Sequence, residues 1–326
     1  MVLSVLFSVF GQSIEDNTIN QENTAKITLL IAAMKNLTDM DNITADTDLE
    51  YHFKTEDLVA EGRTSRENME EIRTFVSNLD DKYVPTRIQD EIILIFLISC
   101  ANDVALTKKT ILSYYYLKKH GPEIYDDRDL NRSDIQLALN TIHMSSIPVR
   151  TDDNDVIHYF NIHDTNYRNF ELVPIMKVSY MLMDVAHEKN PPNGLIVLID
   201  MKGLSLMHMT RLKMGAIKKY LSFLQEGFPM RLKVIHLINS VYFMDKLLAI
   251  LKVFMKSELM SMLHIHPPGL KEEELFKLIP KNCLPMEYGG DLPSESELHQ
   301  KTIEQFRSKQ TFWDVEEKLR KLAYKD

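Results

Sequence analysis

Two largely apolar runs flanking a helical stretch constrain this chain most. The first is Leu195-Ile196-Val197-Leu198-Ile199, closed by Asp200 and entered from the hard turn Asn190-Pro191-Pro192-Asn193-Gly194. The second is Leu232-Lys233-Val234-Ile235-His236-Leu237-Ile238, entered past Gly227 and Pro229. A strand with one wet face alternates polar and apolar residues. A run with almost no alternation is a strand covered on both faces, which is the habit of parallel sheets. The residues between, about His208–Gln225, follow a helical period. Strand, helix and strand over about 45 residues make a βαβ unit with a right-handed crossover. The expected class is therefore α/β, a mostly parallel sheet flanked by helices. Val156–Phe160 reads as a further short strand and Phe170–His187 as an amphipathic helix.

Upstream the pattern is helical. Thr64 and Glu67 have capping-box spacing, and Met69, Ile72, Phe75, Val76 and Leu79 follow at helical period. Thr86 with Gln89 offers a cap after Pro85. The next run, Ile92–Ser99, reads either as a helix or as a buried strand. A third helix is expected over about Thr107–Lys119, ended by Gly121-Pro122. Ser133 with Gln136 offers another cap. The chain closes with a helix begun at Ser294/Glu297 and carrying Phe306, Phe312, Trp313, Val315 and Leu319.

Composition excludes several classes. Two cysteines, Cys100 and Cys283, lie too far apart for a CxxC, so disulfide scaffolds and cysteine-rich zinc modules are out, and free thiols suit a reducing compartment. No apolar run reaches the 18 or so residues of a membrane span; the longest are Ile92–Ala101, Leu247–Met255 and Val2–Phe10. Val2–Phe10 lacks the basic flank of a signal peptide, so secretion is not expected and the sequon at Asn36 is read as chance. Net charge is −9, which speaks against a nucleic-acid partner. Residues 1–50 hold eight acids and two lysines and read as a disordered acidic extension, with a helix over Asn23–Leu37.

Chemistry-bearing motifs are missing. There is no GxGxxG, no P-loop, no GxSxG and no HExxH. His264-Ile265-His266 has the spacing of a strand-borne metal pair, but no partner ligand is placed beside it by pattern. Asp200 ends a buried strand without a base, nucleophile or metal partner, and reads as structural. The expectation is a non-enzymatic protein without metal or cofactor.

Segment 239–262 stands out instead. Leu247, Leu248, Ala249, Ile250, Leu251, Val253, Phe254 and Met255 put apolar groups almost all the way round a helix, with Asp245, Lys252 and Lys256 on a narrow polar strip. Such a helix either lies inside a core or covers something apolar while facing a second apolar phase. Residues 201–256 carry ten Lys/Arg against two acids, a net +8 inside a chain of −9. A basic region beside an apolar helix is what an anionic lipid surface attracts.

Four stretches resemble the CRAL-TRIO lipid-binding proteins, and within them the tocopherol-transfer and retinaldehyde-binding branch. They are Leu284-Pro285-Met286-Glu287-Tyr288-Gly289-Gly290; Phe228 through Asn239; Gly194 through Asp200 with Gly203; and Tyr114-Tyr115 followed by Pro122-Glu123. The resemblance covers about residues 50–320. It implies a helical N-terminal domain (51–130), a CRAL-TRIO lipid-binding domain (131–295) with a gate helix at 239–262 over a hydrophobic pocket, and a C-terminal helix (296–326). It implies a pocket walled by Leu172, Ile175 and Ser179 on one helix and by Leu195, Val197 and Ile199 on a strand. Leu212, Tyr220, Phe223 and Leu224 follow on the crossover helix, then Phe228, Met230, Leu232 and Ile235, then Leu247, Leu251 and Phe254 on the gate. It also implies a cleft for phosphoinositide headgroups at Arg231 and Lys233, with Lys252 and Lys256 nearby. Two other positions of that cleft read Glu258 and Met262, so general attraction to anionic membranes with weakened headgroup specificity is expected.

The implied function is a carrier, cytoplasmic and peripherally membrane-associated, that holds one tocopherol-, retinoid- or other isoprenoid-like lipid and passes it between membranes by gate opening. The alternative is a phosphoinositide-responsive trafficking or signalling adaptor whose acidic N-terminal segment binds a protein partner.

Overall fold

Five strands set the frame: β1 (Ile142–Ser146), β2 (Asp155–Ile162), β3 (Gly194–Asp200), β4 (Leu232–Ile238) and β5 (Leu263–Ile265), in the order β1-β2-β3-β4-β5. The computed structural model describes residues 43, 44 and 47–325; most of the acidic extension, the Asn23–Leu37 helix, Val2–Phe10 and Asn36 lie outside the described residues. β2 to β5 are parallel, and β1 adds an antiparallel edge that sequence periodicity did not reveal. Its five residues, IHMSS, are too short and too mixed to show a period.

Helices follow the same chain order: α1 (Arg66–Ser77), α2 (Asp90–Ser99), α3 (Val104–His120), α4 (Ser133–Thr141), α5 (Leu172–His187), α6 (Met214–Glu226), α7 (Met244–Leu251), α8 (Ser257–Ser261), α9 (Glu295–Ser308) and α10 (Gln310–Leu322). The ambiguous Ile92–Ser99 run is a helix, α2, with Asp90 and Glu91 in its first turn where the helix dipole favours acids. Ile93 through Ile98 are all buried, because α2 is the central helix of its cluster, packed with Ile72, Val76, Ile111 and Tyr115.

The caps differ from the sequence expectation. α1 is capped by Ser65, whose hydroxyl accepts from the Asn68 amide at 3.0 Å, whereas Thr64 is buried with its hydroxyl unpartnered. Thr86/Gln89 does not cap α2: Gln89 pairs by its side chain with both backbone groups of Leu49, 40 residues away. Nor does Ser133/Gln136 cap α4, since Gln136 donates to the Leu130 carbonyl. Ser294 does cap α9, accepting from the Glu297 amide at 3.2 Å.

Three expected helices are interrupted. The crossover begins as a 3-10 turn, Leu206–Arg211, then Leu212 is extended before α6 starts at Met214. Ser205 and His208 cap that turn reciprocally, which fixes its start. The 239–262 segment is not one helix, so its polar strip is not continuous. α7 stops at Leu251, and Gln225 of α6 occupies the break: its amide donates to the Phe254 carbonyl at 3.0 Å and its oxygen accepts from the Lys256 amide at 2.6 Å. The C-terminal helix breaks at Lys309, which is buried with its ammonium 4.4 Å over the Phe312 ring and 3.5 Å from Glu188.

α10 locks onto α3 and α5 through a buried ionic cluster. Glu316 meets Lys118, Arg128 and Arg320; Arg128 also reaches Asp184 and Arg320 also reaches Asp126. Burial pushes the Glu316 carboxyl up, but Lys118, Arg320 and Arg128 outweigh it and hold it below the ordinary carboxylate range. The Trp313 indole fills the layer beneath and donates to Asp184 at 2.8 Å.

Candidate functional site

One face of the sheet is filled and the other is hollow. Ile157, Tyr159, Ile196 and Leu198 point into a packed cluster with Leu284 and Leu298. The opposite positions, Phe160, Leu195, Val197 and Ile199, border a cavity of about 400 Å³ closed by α5, α6 and α7. Strand alternation makes this division: successive side chains leave opposite faces, and the β2–β3 register pairs Phe160 with Ile199. A register shift opposite Leu195/Ile196 lets Leu232 face the cavity along with Ile235 and Leu237, which simple alternation would forbid.

The helical walls are equally regular. Leu172, Ile175, Met176, Ser179 and Met183 recur at three- and four-residue steps along α5 and border the cavity. Tyr220, Phe223 and Leu224 do the same on α6, joined by Leu212 from the extended break before it and by Phe228 after it. Leu247 and Leu251 close the opening from α7. Two implied wall residues fall elsewhere. Met230 is buried in the main core, just before β4 begins, and Phe254 lies past the end of α7 where the helix has already broken. The others named from the sequence all border the cavity. Residues that sequence reasoning missed include Phe160 and Ile162 on β2, Met176, Tyr180 and Met183 on α5, and Met201 and Leu204 past β3. The period-2 pattern of β2 and the stripe running from Leu172 carried the signal for the first two groups; the loop residues carried none.

Polar groups at the cavity are few. Ser179 and Tyr220 meet on its wall, with 2.8 Å between their hydroxyl oxygens. Burial raises the Tyr220 phenol above its ordinary value. His158 and His208 also border the cavity, but they are only 3% and 2% exposed. Burial, with Arg150 and His187 nearby, pushes His158 down to about 3, so it is neutral at physiological pH.

Asp200 is a structural junction. Its carboxylate accepts from the Lys202 amide at 2.8 Å, the Asn239 side chain at 2.9 Å and the Tyr288 hydroxyl at 2.7 Å. The ends of β3 and β4 and the Glu287-Tyr288-Gly289-Gly290 turn are thereby tied at one point. Gly289 sits at φ +71°, and a side chain on Gly290 would stand 2.0 Å from the Leu284 carbonyl oxygen. His264 lies within the short edge strand β5 and His266 just after it, and His266 bonds His236 across 3.1 Å. Among the described residues no cluster of His, Cys, Asp or Glu could hold a metal ion.

The basic positions divide. Lys233 is held by Asp155 at 2.6 Å, and Lys256 by Glu226 at 2.7 Å. Arg231 and Lys252 are exposed and make no ion pair among the described residues. Around α7 the surface is apolar as well as basic: Tyr242 is 87% exposed and Val253 74%. No helix among the described residues is long and apolar enough to cross a membrane.

A second cavity, of about 310 Å³, lies between the helical region and α10. Tyr51, Phe96, Tyr114 and Phe312 border it together with the Glu316 cluster, and Met183 is shared with the first cavity.

Residues 141–290 match a family model described as CRAL/TRIO domain, and residues 62–135 match one described as Pinta-like, UBA domain. An alpha-tocopherol transfer protein-like protein of Mus musculus is 28% identical over 247 residues, covering 72% of this chain and 70% of its own length. Clavesin-1 of Xenopus laevis is 32% identical over 101 residues, covering 31% of this chain and 30% of its own. A crystal structure of Sfh5 superposes with a TM-score of 0.45 at 12% identity, covering 75% of this chain and 90% of that one.

Proposed function

This chain belongs to the CRAL/TRIO proteins through residues 141–290, and from that premise we propose that it carries one hydrophobic molecule in the sheet cavity and transfers it between membranes. The observation that carries this reading is the cavity itself. A folded protein normally fills its interior to crystal-like density, so about 400 Å³ of apolar-walled space is a site rather than a packing defect. The similarity to proteins named for tocopherol transfer supports the same class of cargo, a tocopherol-, retinoid- or isoprenoid-like lipid.

Binding needs no bond-making step and no cofactor. Burying about 300–400 Å² of terpenoid surface at about 25 cal/mol per Å² contributes about 8–10 kcal/mol gross relative to water, enough to hold such a molecule during aqueous transit, while exchange with a bilayer, where the same surface is already buried, is close to balanced. Release requires an opening, and α7 is the element suited to it. Only Met244 of its eight residues is buried, while Leu247 and Leu251 cover the cavity. An element with so few buried side chains opens at low cost.

The outer surface of this lid suits an anionic bilayer. Tyr242 and Val253 offer apolar contact, and Lys246 and Lys252 stand exposed beside them. Lys233 and Lys256 are engaged by carboxylates, which favours general attraction over a built headgroup cleft. The test is transfer of fluorescent tocopherol and retinol between vesicles. Transfer should rise when the acceptor contains phosphatidylserine, and fall several-fold in Lys246→Glu/Lys252→Glu. Absence of uptake of tocopherol, retinoid or phospholipid overturns the proposal.

A further inference from the structure

The cavity carries a polar pair whose protons can be accounted for. Ser179 lies on α5, and its hydroxyl donates to the Met176 carbonyl one turn back at 2.8 Å. That carbonyl can only accept, and serine has one proton, so the proton is committed to it. The Tyr220 hydroxyl stands 2.8 Å from the same serine oxygen. With the serine proton spent, the donor in this second bond is Tyr220, and its single proton is spent too. The opposite arrangement would leave a phenol O–H without a partner against an apolar wall, which costs more than it gains.

Both residues border the cavity and are half-buried. The other polar residues bordering the cavity are Asn161, Tyr180, His158, His208 and Asp200, and the Tyr180 hydroxyl is paired with Tyr114. His158 and His208 are almost wholly covered, and the Asp200 carboxylate is used by Lys202, Asn239 and Tyr288. What the pair offers inward is lone pairs alone.

We propose that Ser179 and Tyr220 form an acceptor-only site that selects lipids bearing a hydroxyl, alcohols or phenols, over the same skeletons ending in an aldehyde or ester. This rests on the carrier reading. A lipid hydroxyl donates to the Tyr220 oxygen and completes the chain lipid to Tyr220 to Ser179 to Met176. A carbonyl-ended lipid brings only lone pairs. To bind it, the chain must reverse and give up the Ser179–Met176 bond. The preference should therefore be worth one neutral hydrogen bond, about five- to tenfold in affinity.

The experiment uses the full chain with two matched pairs, retinol with retinal and farnesol with farnesal, titrated by quenching of Trp313 or competition with a bound fluorophore. The wild type should prefer each alcohol about five- to tenfold, as one hydrogen bond predicts. Ser179→Ala removes the acceptor of the Tyr220 proton, so the phenol becomes a free donor that an alcohol or an aldehyde oxygen can equally accept, and the preference for the alcohol should disappear. Tyr220→Phe leaves Ser179 bonded to Met176 with its lone pairs inward, so the preference should keep its sign. A merely structural role would weaken both members of a pair equally and leave their ratio alone. Wild-type ratios within twofold, or an unchanged ratio in Ser179→Ala, overturn the inference while leaving the carrier reading intact. Binding of neither member of either pair overturns both.

Discussion

Replacing Glu316 by glutamine isolates one buried cation. The carboxylate accepts from Lys118 at 2.6 Å and from Arg320 at 3.1 Å, and it also touches Arg128. The arginines keep other partners: Arg128 has Asp184 at 3.1 Å and Arg320 has Asp126 at 2.7 Å. Lys118 does not. Its side chain is 0% exposed, and among the described residues its remaining hydrogen-bond partner is the Tyr114 hydroxyl at 3.0 Å. Removing one member of a buried pair costs about 3–5 kcal/mol, because the other charge is stranded. Lys118 also has an escape that arginine lacks. Burial, against the pull of Glu316, pushes its ammonium down from the usual 10.5 to about 7. A folded-state value below the unfolded one means that the ammonium form opposes folding, and that stability rises with pH from about 7 toward 10.5. At pH 6 the wild type holds an ammonium against a carboxylate and the variant does not, so the loss should reach the full 3–5 kcal/mol or so. At pH 9 the folded lysine has released its proton in both proteins. The loss should then shrink to the arginine hydrogen bonds, about 1–3 kcal/mol. Urea unfolding at the two pH values measures this. A loss below about 1 kcal/mol at pH 6, or equal losses at pH 6 and 9, would refute the reasoning.

Other outcomes follow from the same structure. Burial holds His158 and His187 down to about 3 and His143 and His236 to about 4, so the folded chain keeps them neutral while the unfolded chain protonates near 6.5. Stability should therefore be full above pH 6.5 and fall as pH drops toward 4, by up to about 2 kcal/mol per histidine at pH 5; a melting temperature flat from pH 7 to 5 contradicts this. Gly290→Ala drives a methyl into the Leu284 carbonyl and should cost about 3 kcal/mol or more, seen as a lowered denaturation midpoint or insolubility. Val197→Asp puts a charge in the middle of the cavity wall and should lower lipid affinity at least a hundredfold, with far-ultraviolet circular dichroism unchanged.

Much of this was readable from sequence, for identifiable reasons. A strand covered on both faces is apolar along most of its length, so Leu195–Ile199, and Leu232–Ile238 despite Lys233 and His236, pointed to a parallel sheet. Alternation along β3 and the helical step along α5 then placed most cavity residues on common faces. Pattern could not say that those faces surround space rather than packed side chains, because volume is a property of all the walls together. The failures share a cause: they turn on partners distant in sequence. α7 ends where Gln225 bonds the backbone of Phe254 and Lys256, about 30 residues away. Gln89 leaves its expected cap for Leu49, and Met230 turns into the core. The +8 segment looked like a single patch until Asp155 and Glu226 were seen to take Lys233 and Lys256.

Native mass spectrometry of the full chain, purified from cells without added lipid, tests the carrier reading most directly. One hydrophobic molecule per chain is expected, released on organic extraction and missing from Val197→Asp. A chain that flies empty, and stays empty after incubation with tocopherol, retinol and phospholipid vesicles, would contradict it.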